Sequence, residues 1–343
     1  MCSPKRFLFS ILAASFLASL VLRFVLYNTL VSGSTRPAAS MRSASMSAPR
    51  AATGANNGAT LRSKDASAPE ARCATSRETS IVYLHVPKCG GISIINAVAE
   101  HLQTYIPQLS TLTELSQVAP EPALLQLYTS RRDGLHYTDL TKKPASLRHR
   151  VRFLTGHIPF GTCDMLRPPC KYAIVLRNPQ QRVMSHIRDV KWSKPEFHAN
   201  TSVESFLLRS ARPEDSWYRP FCRYLDNLMT RMLMGEDPGD EKRAYVPCGA
   251  LTTAHFKVAL NHLRHNVTVV GFLEDLPRFS EAFGREFCLP GLDIRVVKNR
   301  NIEFPEDPKV ISDPEALAVL QQYTFFDDLL FRWARGRGVP EQY

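Results

Sequence analysis

Lysine, two glycines and a serine stand in close order in Pro87-Lys88-Cys89-Gly90-Gly91-Ile92-Ser93, between an apolar run and a helical pattern. Such a turn makes an anion cradle: the N–H groups at a helix start point outward, and the helix dipole favours negative charge there. Gly90 and Gly91 allow backbone conformations and close approach that a side chain would block. Lys88 adds a mobile point charge suited to phosphate or sulfate, and Ser93 adds a hydroxyl. The lysine precedes the glycines, which separates this turn from G-x-x-x-x-G-K-[ST]. The plainer alternative is an ordinary strand–turn–helix with a solvated lysine. A second constellation lies in "YAIVLRNPQQRVMSH". Arg177 sits at a strand's end, where open α/β sheets take their ligands, and Ser185 falls two turns into the next helix. The two could clamp a second phosphate, each charge-assisted bond contributing about 1.5–3 kcal/mol. Arg182 shares the face of Ser185 at i, i+3, but alone it reads as an exposed helix charge. Two anion sites on neighbouring strand–helix turns describe a nucleotide with phosphates at both ends of its ribose.

The elements that must position these groups alternate. "SIVYLHV", "RVRFLTGHI", "KYAIVLR" and "VTVVGFL" are short apolar runs suited to buried strands. "SIINAVAEHLQTY" has a helical period. Asn178 stands at an N-cap with Pro179 at the first helical position, and Asp313 and Pro314 repeat that pattern before a long helix running to about Arg335. Thr201 to Glu204 fits a capping box. "PFCRYLDNLMTRMLMG" aligns Phe221, Tyr224, Leu225, Leu228 and Met232 on one helical face, with Gly235 as its end. "EDLPRFSEAFGREF" is helix-like. No internal repeat is present. The succession implies an α/β domain with a doubly wound, mostly parallel sheet covered by helices.

Outside residues 79–343 the chain changes character. Phe7 to Tyr27 is apolar apart from Arg23 and small or hydroxyl residues, and as a helix it would run about 31 Å, enough to cross a bilayer. Lys5 and Arg6 precede it, so residues 1–6 are expected in the cytosol and the remainder in the lumen. A cleaved signal peptide is the rival reading. Residues 28–78 read as a disordered stem rich in Ser, Ala and Arg; an organelle transit peptide has a similar composition. The net charge is +11, but residues 1–72 hold nine Lys/Arg against two acids. The remaining +4 suits an anionic ligand in one site better than a nucleic-acid-coating surface. Six of the eight cysteines lie beyond Cys73 and none forms a CxxC pair, so a zinc knuckle is not expected. Cys163 with Cys170 and Cys222 with Cys248 could pair in an oxidising lumen; unpaired buried thiols are the alternative. Asn200-Thr-Ser and Asn266-Val-Thr are sequons that fit the secretory route. Together these features favour a single-pass, type II Golgi membrane protein with its folded domain in the lumen.

"VPKCGGIS" resembles the 5′-phosphosulfate loop of the Golgi carbohydrate O-sulfotransferases, and "LRNPQQRVMSH" resembles their 3′-phosphate site. The group most similar includes the heparan sulfate and uronyl 2-O- and 6-O-sulfotransferases. "FLTGHIPFG", "LDNLMTRMLMG", "VVGFLEDL" and "FDDLLFRWAR" resemble that family in the same order, from about Ser80 to Arg335. The resemblance implies a P-loop-like α/β fold, 3′-phosphoadenosine-5′-phosphosulfate (PAPS) as donor, no metal, and a glycan acceptor. On that reading Pro87, Lys88, Cys89, Gly90, Gly91, Ile92, Ser93, Arg177, Ser185 and Arg300 line the donor site, Arg300 lying in "VVKNRN" where the family has a loop near the cofactor. The family often has threonines where this chain has Cys89 and Ile92, and an Asp where it has Asn178. Sulfuryl transfer to a hydroxyl needs a base on the acceptor and positive charge on the leaving phosphate oxygen. Lys88 suits the second role and a neutral His the first. Among ten histidines, His157 in "TGHIPFG" is the first choice, because it follows a strand-like run and resembles the family's base-bearing segment. His136 in "GLHYTDL" is the second, resembling a segment of the 6-O-sulfating branch.

The bland alternative for either histidine is a hydrogen-bonded structural residue. His186 reads as a helix-face residue, and His262 and His265 as solvated. Arg131, Arg132, Lys142, Lys143, Arg188 and Lys191 are candidates for a basic acceptor channel, although each alone reads as a surface charge. Two other functions fit the same residues. A nucleotide-dependent kinase would require Walker-type Mg²⁺ ligands, and the lysine–glycine order argues against it. A non-catalytic glycan- or nucleotide-binding protein would keep the fold without depending on His157. No feature specifies the acceptor sugar or the oligomeric state.

Overall fold

The computed structural model describes residues 79–101, 123–127, 141–149, 151–194, 201–237, 246–295 and 311–336, all within the compact unit Arg62–Tyr343. The expected tail, anchor and stem of residues 1–78, together with Arg131, Arg132, His136, Asn200 and Arg300, lie outside the described residues. Among the described residues, no helix is long and apolar enough to cross a membrane.

Five strands form one parallel sheet: β1 Ser80–Leu84, β2 Ala123–Leu127, β3 Val151–Gly156, β4 Cys170–Leu176 and β5 Val267–Phe272, in the order β2-β3-β1-β4-β5. The near-continuous apolar runs of β1, β3 and β4 suit strands buried on both faces. The α/β expectation is met, and the sheet is wholly parallel. β2, "ALLQL", is an addition to the sequence reading. The chain leaves β1 to build β3 and β2 on one side, then returns to place β4 and β5 on the other. The strand order therefore reverses at β1, and the carboxyl end of a strand at such a reversal is where open sheets take ligands.

Nine α-helices are described: α1 Gly91–His101, α2 Ala145–Arg148, α3 Pro179–Ser193, α4 Val203–Ala211, α5 Cys222–Leu225, α6 Leu228–Leu233, α7 Thr253–His265, α8 Leu276–Phe287 and α9 Pro314–Ala334. The side chain of Asn178 caps α3, accepting from the Gln181 N–H at 3.1 Å. Asp313 caps α9, accepting from the N–H groups of Glu315 and Ala316. The expected capping box at Thr201 does not form. Ser202 is the cap of α4, accepting from the Ser205 N–H at 3.0 Å. Glu204 instead accepts from Ser312 and Asp313 and ties α4 to the start of α9.

The single helix expected over "PFCRYLDNLMTRMLMG" is broken between α5 and α6. Asn227 adopts a left-handed conformation at φ +49 there. Its Oδ1 accepts from the N–H groups of Phe326 and Asp327. Asp327 in turn accepts from the N–H groups of Met229 and Thr230 and from the Thr230 hydroxyl, capping α6 from across the fold. Arg231, fully buried, is held between Asp226 and Glu236 at 2.5 Å each. Tertiary hydrogen bonds thus outcompete a continuous helical period. Cys222–Cys248 closes the same region, and Cys163–Cys170 closes the loop between β3 and β4. Both candidate disulfides are formed.

One core sandwiches the sheet, built from residues such as Val82, Leu84, Phe153, Ile174, Phe256 and Phe283. A second fills the space among α3, α4 and α9 with Ile187, Phe206, Leu207 and Leu320.

Candidate functional site

The carboxyl ends of β3, β1 and β4, three neighbouring strands, carry His157, the Lys88 turn and Arg177 respectively. Leu84 and Gly156 are register partners, so the residues that follow them, His85 and His157, leave the sheet side by side. The His85 N–H donates to the Gly156 carbonyl at 3.1 Å, extending the ladder one step.

The turn after β1 is tight. The Cys89 N–H donates to the Val86 carbonyl at 3.1 Å. Lys88 has φ +69 and Gly90 φ +80. A lysine in the left-handed region is uncommon and costs on the order of 1 kcal/mol or more, strain that tends to collect where ligands bind. Gly90 is required twice over: its φ is positive, and a Cβ there would lie 2.7 Å from Leu273 Cδ1. The "VVGFLEDL" segment therefore buttresses the turn from β5. At Gly91 a Cβ would lie 1.9 Å from Cδ2 of the His85 ring, so the helix start and that ring share one space.

Lys88 Nζ pairs with Asp189 Oδ1 at 2.9 Å; the lysine side chain is 12% exposed and the aspartate 48%. Asp189 lies one turn beyond Ser185 on α3, which puts both on one face. Ser185 is buried. Arg177 donates through Nη1 to the Lys88 carbonyl at 3.0 Å, binding the two turns to each other. Burial holds the Arg177 guanidinium below its usual pKa. Glu274 accepts from the Asn178 N–H at 3.2 Å and from Arg335 at 2.8 Å.

The segment that carries His157 is anchored downstream. Phe160 stacks on Tyr172 and on His262, with ring centroids 4.7 and 3.9 Å apart. The Tyr172 hydroxyl accepts from the N–H groups of Gly161 and Cys163. His262 is thus half-buried and hydrogen-bonded to the Leu233 carbonyl at 2.8 Å, contrary to the expectation of a solvated residue.

Other expectations divide. Pro87, Cys89, Gly91 and Ser93 are buried, and Ile92 is 48% exposed on the first turn of α1. Burial pushes the Cys89 thiol up to about 12, so it faces the core as an inert group. Arg182, expected at the surface, is fully buried and donates to the carbonyls of Tyr224 and Leu225. Lys191 is also buried, which removes it from any solvated channel; Lys142 is exposed, and Lys143 and Arg188 are half-buried. His186 is more than a helix-face residue. Burial, with Arg182, Lys88 and His157 adding to it, lowers its pKa to about 3. Its Nδ1 is buried without a hydrogen bond, and its ring stacks on Tyr224.

Sequence reasoning missed three residues here. His85 ends an apolar run and reads as core; Asp189 reads as one more charge on a helix; Glu274 stands in "VVGFLEDL", where nothing marks it as the partner of Asn178 and Arg335. Asp189 alone was open to inference, from its i, i+4 relation to Ser185. No cluster of His, Cys, Asp or Glu suited to a metal ion occurs among the described residues. A scan of protein-family models and a search of curated proteins each found no match to this chain.

Proposed function

We propose that this chain is a PAPS-dependent carbohydrate O-sulfotransferase with a P-loop-like fold, acting on a hydroxyl of an anionic glycan. The observation that carries the proposal is the convergence of His157, the Lys88 turn and Arg177 at the carboxyl ends of three adjacent strands, at the reversal of strand order. A glycine-bearing turn leading into α1 suits a phosphosulfate, and Arg177 with Ser185 suits a second phosphate on the next strand–helix turn. His157 accepts the proton of the acceptor hydroxyl as its oxygen attacks sulfur. The bond between sulfur and the phosphate oxygen breaks on the opposite side, and Lys88 neutralises the charge that develops on that oxygen. The two disulfides fit an oxidising lumen, in keeping with a Golgi enzyme held by an N-terminal anchor.

Titration calorimetry of the full chain in detergent with adenosine 3′,5′-bisphosphate tests the donor half of this reading. Wild type binds, and Lys88→Ala and Arg177→Ala each weaken binding by about 10- to 100-fold, as loss of a charge-assisted bond requires. Absence of binding by wild type removes the proposal.

A further inference from the structure

We propose that His85 is a positioning residue for His157, holding the imidazole beside the Lys88 turn through both its backbone and its ring. The inference rests on the reading of His157 as the proton acceptor. The two rings meet edge to face at 4.8 Å, a favoured arrangement for aromatic pairs. The His85 N–H fixes the Gly156 carbonyl at 3.1 Å, on the residue immediately before His157. On its other side the His85 ring occupies the space over Gly91 that any side chain would fill. One residue therefore spans the helix start of the donor turn and the base candidate, and a change in either reaches the other through it.

Burial of this imidazole is poor economy for stability alone. His85 is 7% exposed, and its Nδ1 is buried without a hydrogen bond. Two further buried orphans lie beside it on the paired strands, the hydroxyls of Tyr83 and Thr155, which are register partners. The Tyr83 and His85 rings stack at 6.2 Å. Unsatisfied buried polar atoms are rare in folded proteins and call for a specific reason. An apolar side chain would pack the same space without that cost, but it would not present the same flat ring edge to His157.

His85 does not itself carry protons. Burial, reinforced by the nearby His157 and Lys88, keeps its pKa well below the ordinary value, so it stays neutral. His85 on the β1 turn and His186 on α3 both couple electrostatically to His157, and Lys88 couples to each of those two. With both neighbouring imidazoles neutral, the orientation of the His157 ring is set by contact.

The test uses the full chain in detergent with ¹³C-labelled histidine, as wild type, His85→Ala, and the double variant His85→Ala/Gly91→Ala, whose alanine methyl refills part of the space. In both variants the His157 Cε1–H resonance shifts as the ring loses the edge contact that orients it. In His85→Ala, affinity for adenosine 3′,5′-bisphosphate stays within about threefold of wild type, while kcat for sulfuryl transfer falls about 10²-fold, the scale of a ~1 Å misplacement of a reacting group. An unchanged His157 Cε1–H resonance in a folded variant overturns the inference. Nucleotide affinity falling in step with kcat also overturns it, by making His85 a strut of the donor turn. If wild type transfers no sulfate, the proposed function fails while the His157 Cε1–H resonance still decides the positioning.

Discussion

Replacing Gly91 with alanine places a methyl carbon 1.9 Å from Cδ2 and 2.0 Å from Nε2 of His85. Gly91 is not among the positive-φ residues, so the backbone accepts alanine, and helix propensity favours it. The clash therefore isolates the ring. Overpacking a closed site costs about 1–3 kcal/mol, and an overlap this deep in a buried pair belongs at the upper end, near 3 kcal/mol. In a His85→Ala background the obstruction is gone, and the new methyl fills part of the space left by the ring. The same substitution should then cost about 0 kcal/mol, giving a coupling near 3 kcal/mol. Contacting residues couple by about 0.5–3 kcal/mol in such cycles. Equilibrium urea unfolding of the four proteins, with m-values compared to check that the transition is unchanged, measures it. A Gly91→Ala cost that is the same in both backgrounds to within ~0.5 kcal/mol would refute the shared-space account of the turn.

Three other outcomes follow from separate parts of the fold. Asp189→Asn frees Lys88 from its ion pair and raises affinity for adenosine 3′,5′-bisphosphate about two- to fivefold at low salt, the scale of a partly exposed pair, with the gain fading as salt rises; unchanged affinity would mean the pair does not compete with the nucleotide. Arg231→Met leaves Asp226 and Glu236 buried without their counter-charge and should destabilise by about 3–5 kcal/mol, read from the urea midpoint. His186 is depressed to about 3 in the folded protein, against about 6.5 unfolded. Its contribution is therefore complete above pH 6.5 and is lost as pH falls toward 3, by about 1–2 kcal/mol at pH 5; His186→Phe should flatten the loss of stability between pH 7 and 5.

Much of the scaffold was legible because it rests on local signals. Apolar runs gave β1, β3, β4 and β5, and the Asn178-Pro179 and Asp313-Pro314 pairs marked two helix starts where the structure has them. The turn was legible because glycine and lysine have few other reasons to stand together at a strand's end. What escaped was decided by tertiary contact. Arg182 looks like a surface charge until the carbonyls of Tyr224 and Leu225, distant in sequence, enclose it. The break at Asn227 depends on Phe326 and Asp327, about a hundred residues away, whose N–H groups need an acceptor there. Thr201 lost its capping role because its hydroxyl pairs with that of Tyr218 while Glu204 reaches Ser312. His85 was hidden for the same reason: its significance lies in Gly91 and His157, neither of which a strand-terminal histidine announces.

The most direct test of the central claim is transfer of labelled sulfuryl groups from PAPS by the full chain to a panel of desulfated glycosaminoglycans and other glycans, with Lys88→Ala and His157→Ala run beside wild type. The account predicts transfer by wild type, its loss in both variants, and nucleotide binding retained by His157→Ala. Nucleotide binding without transfer to any acceptor, or full activity in His157→Ala, would contradict it.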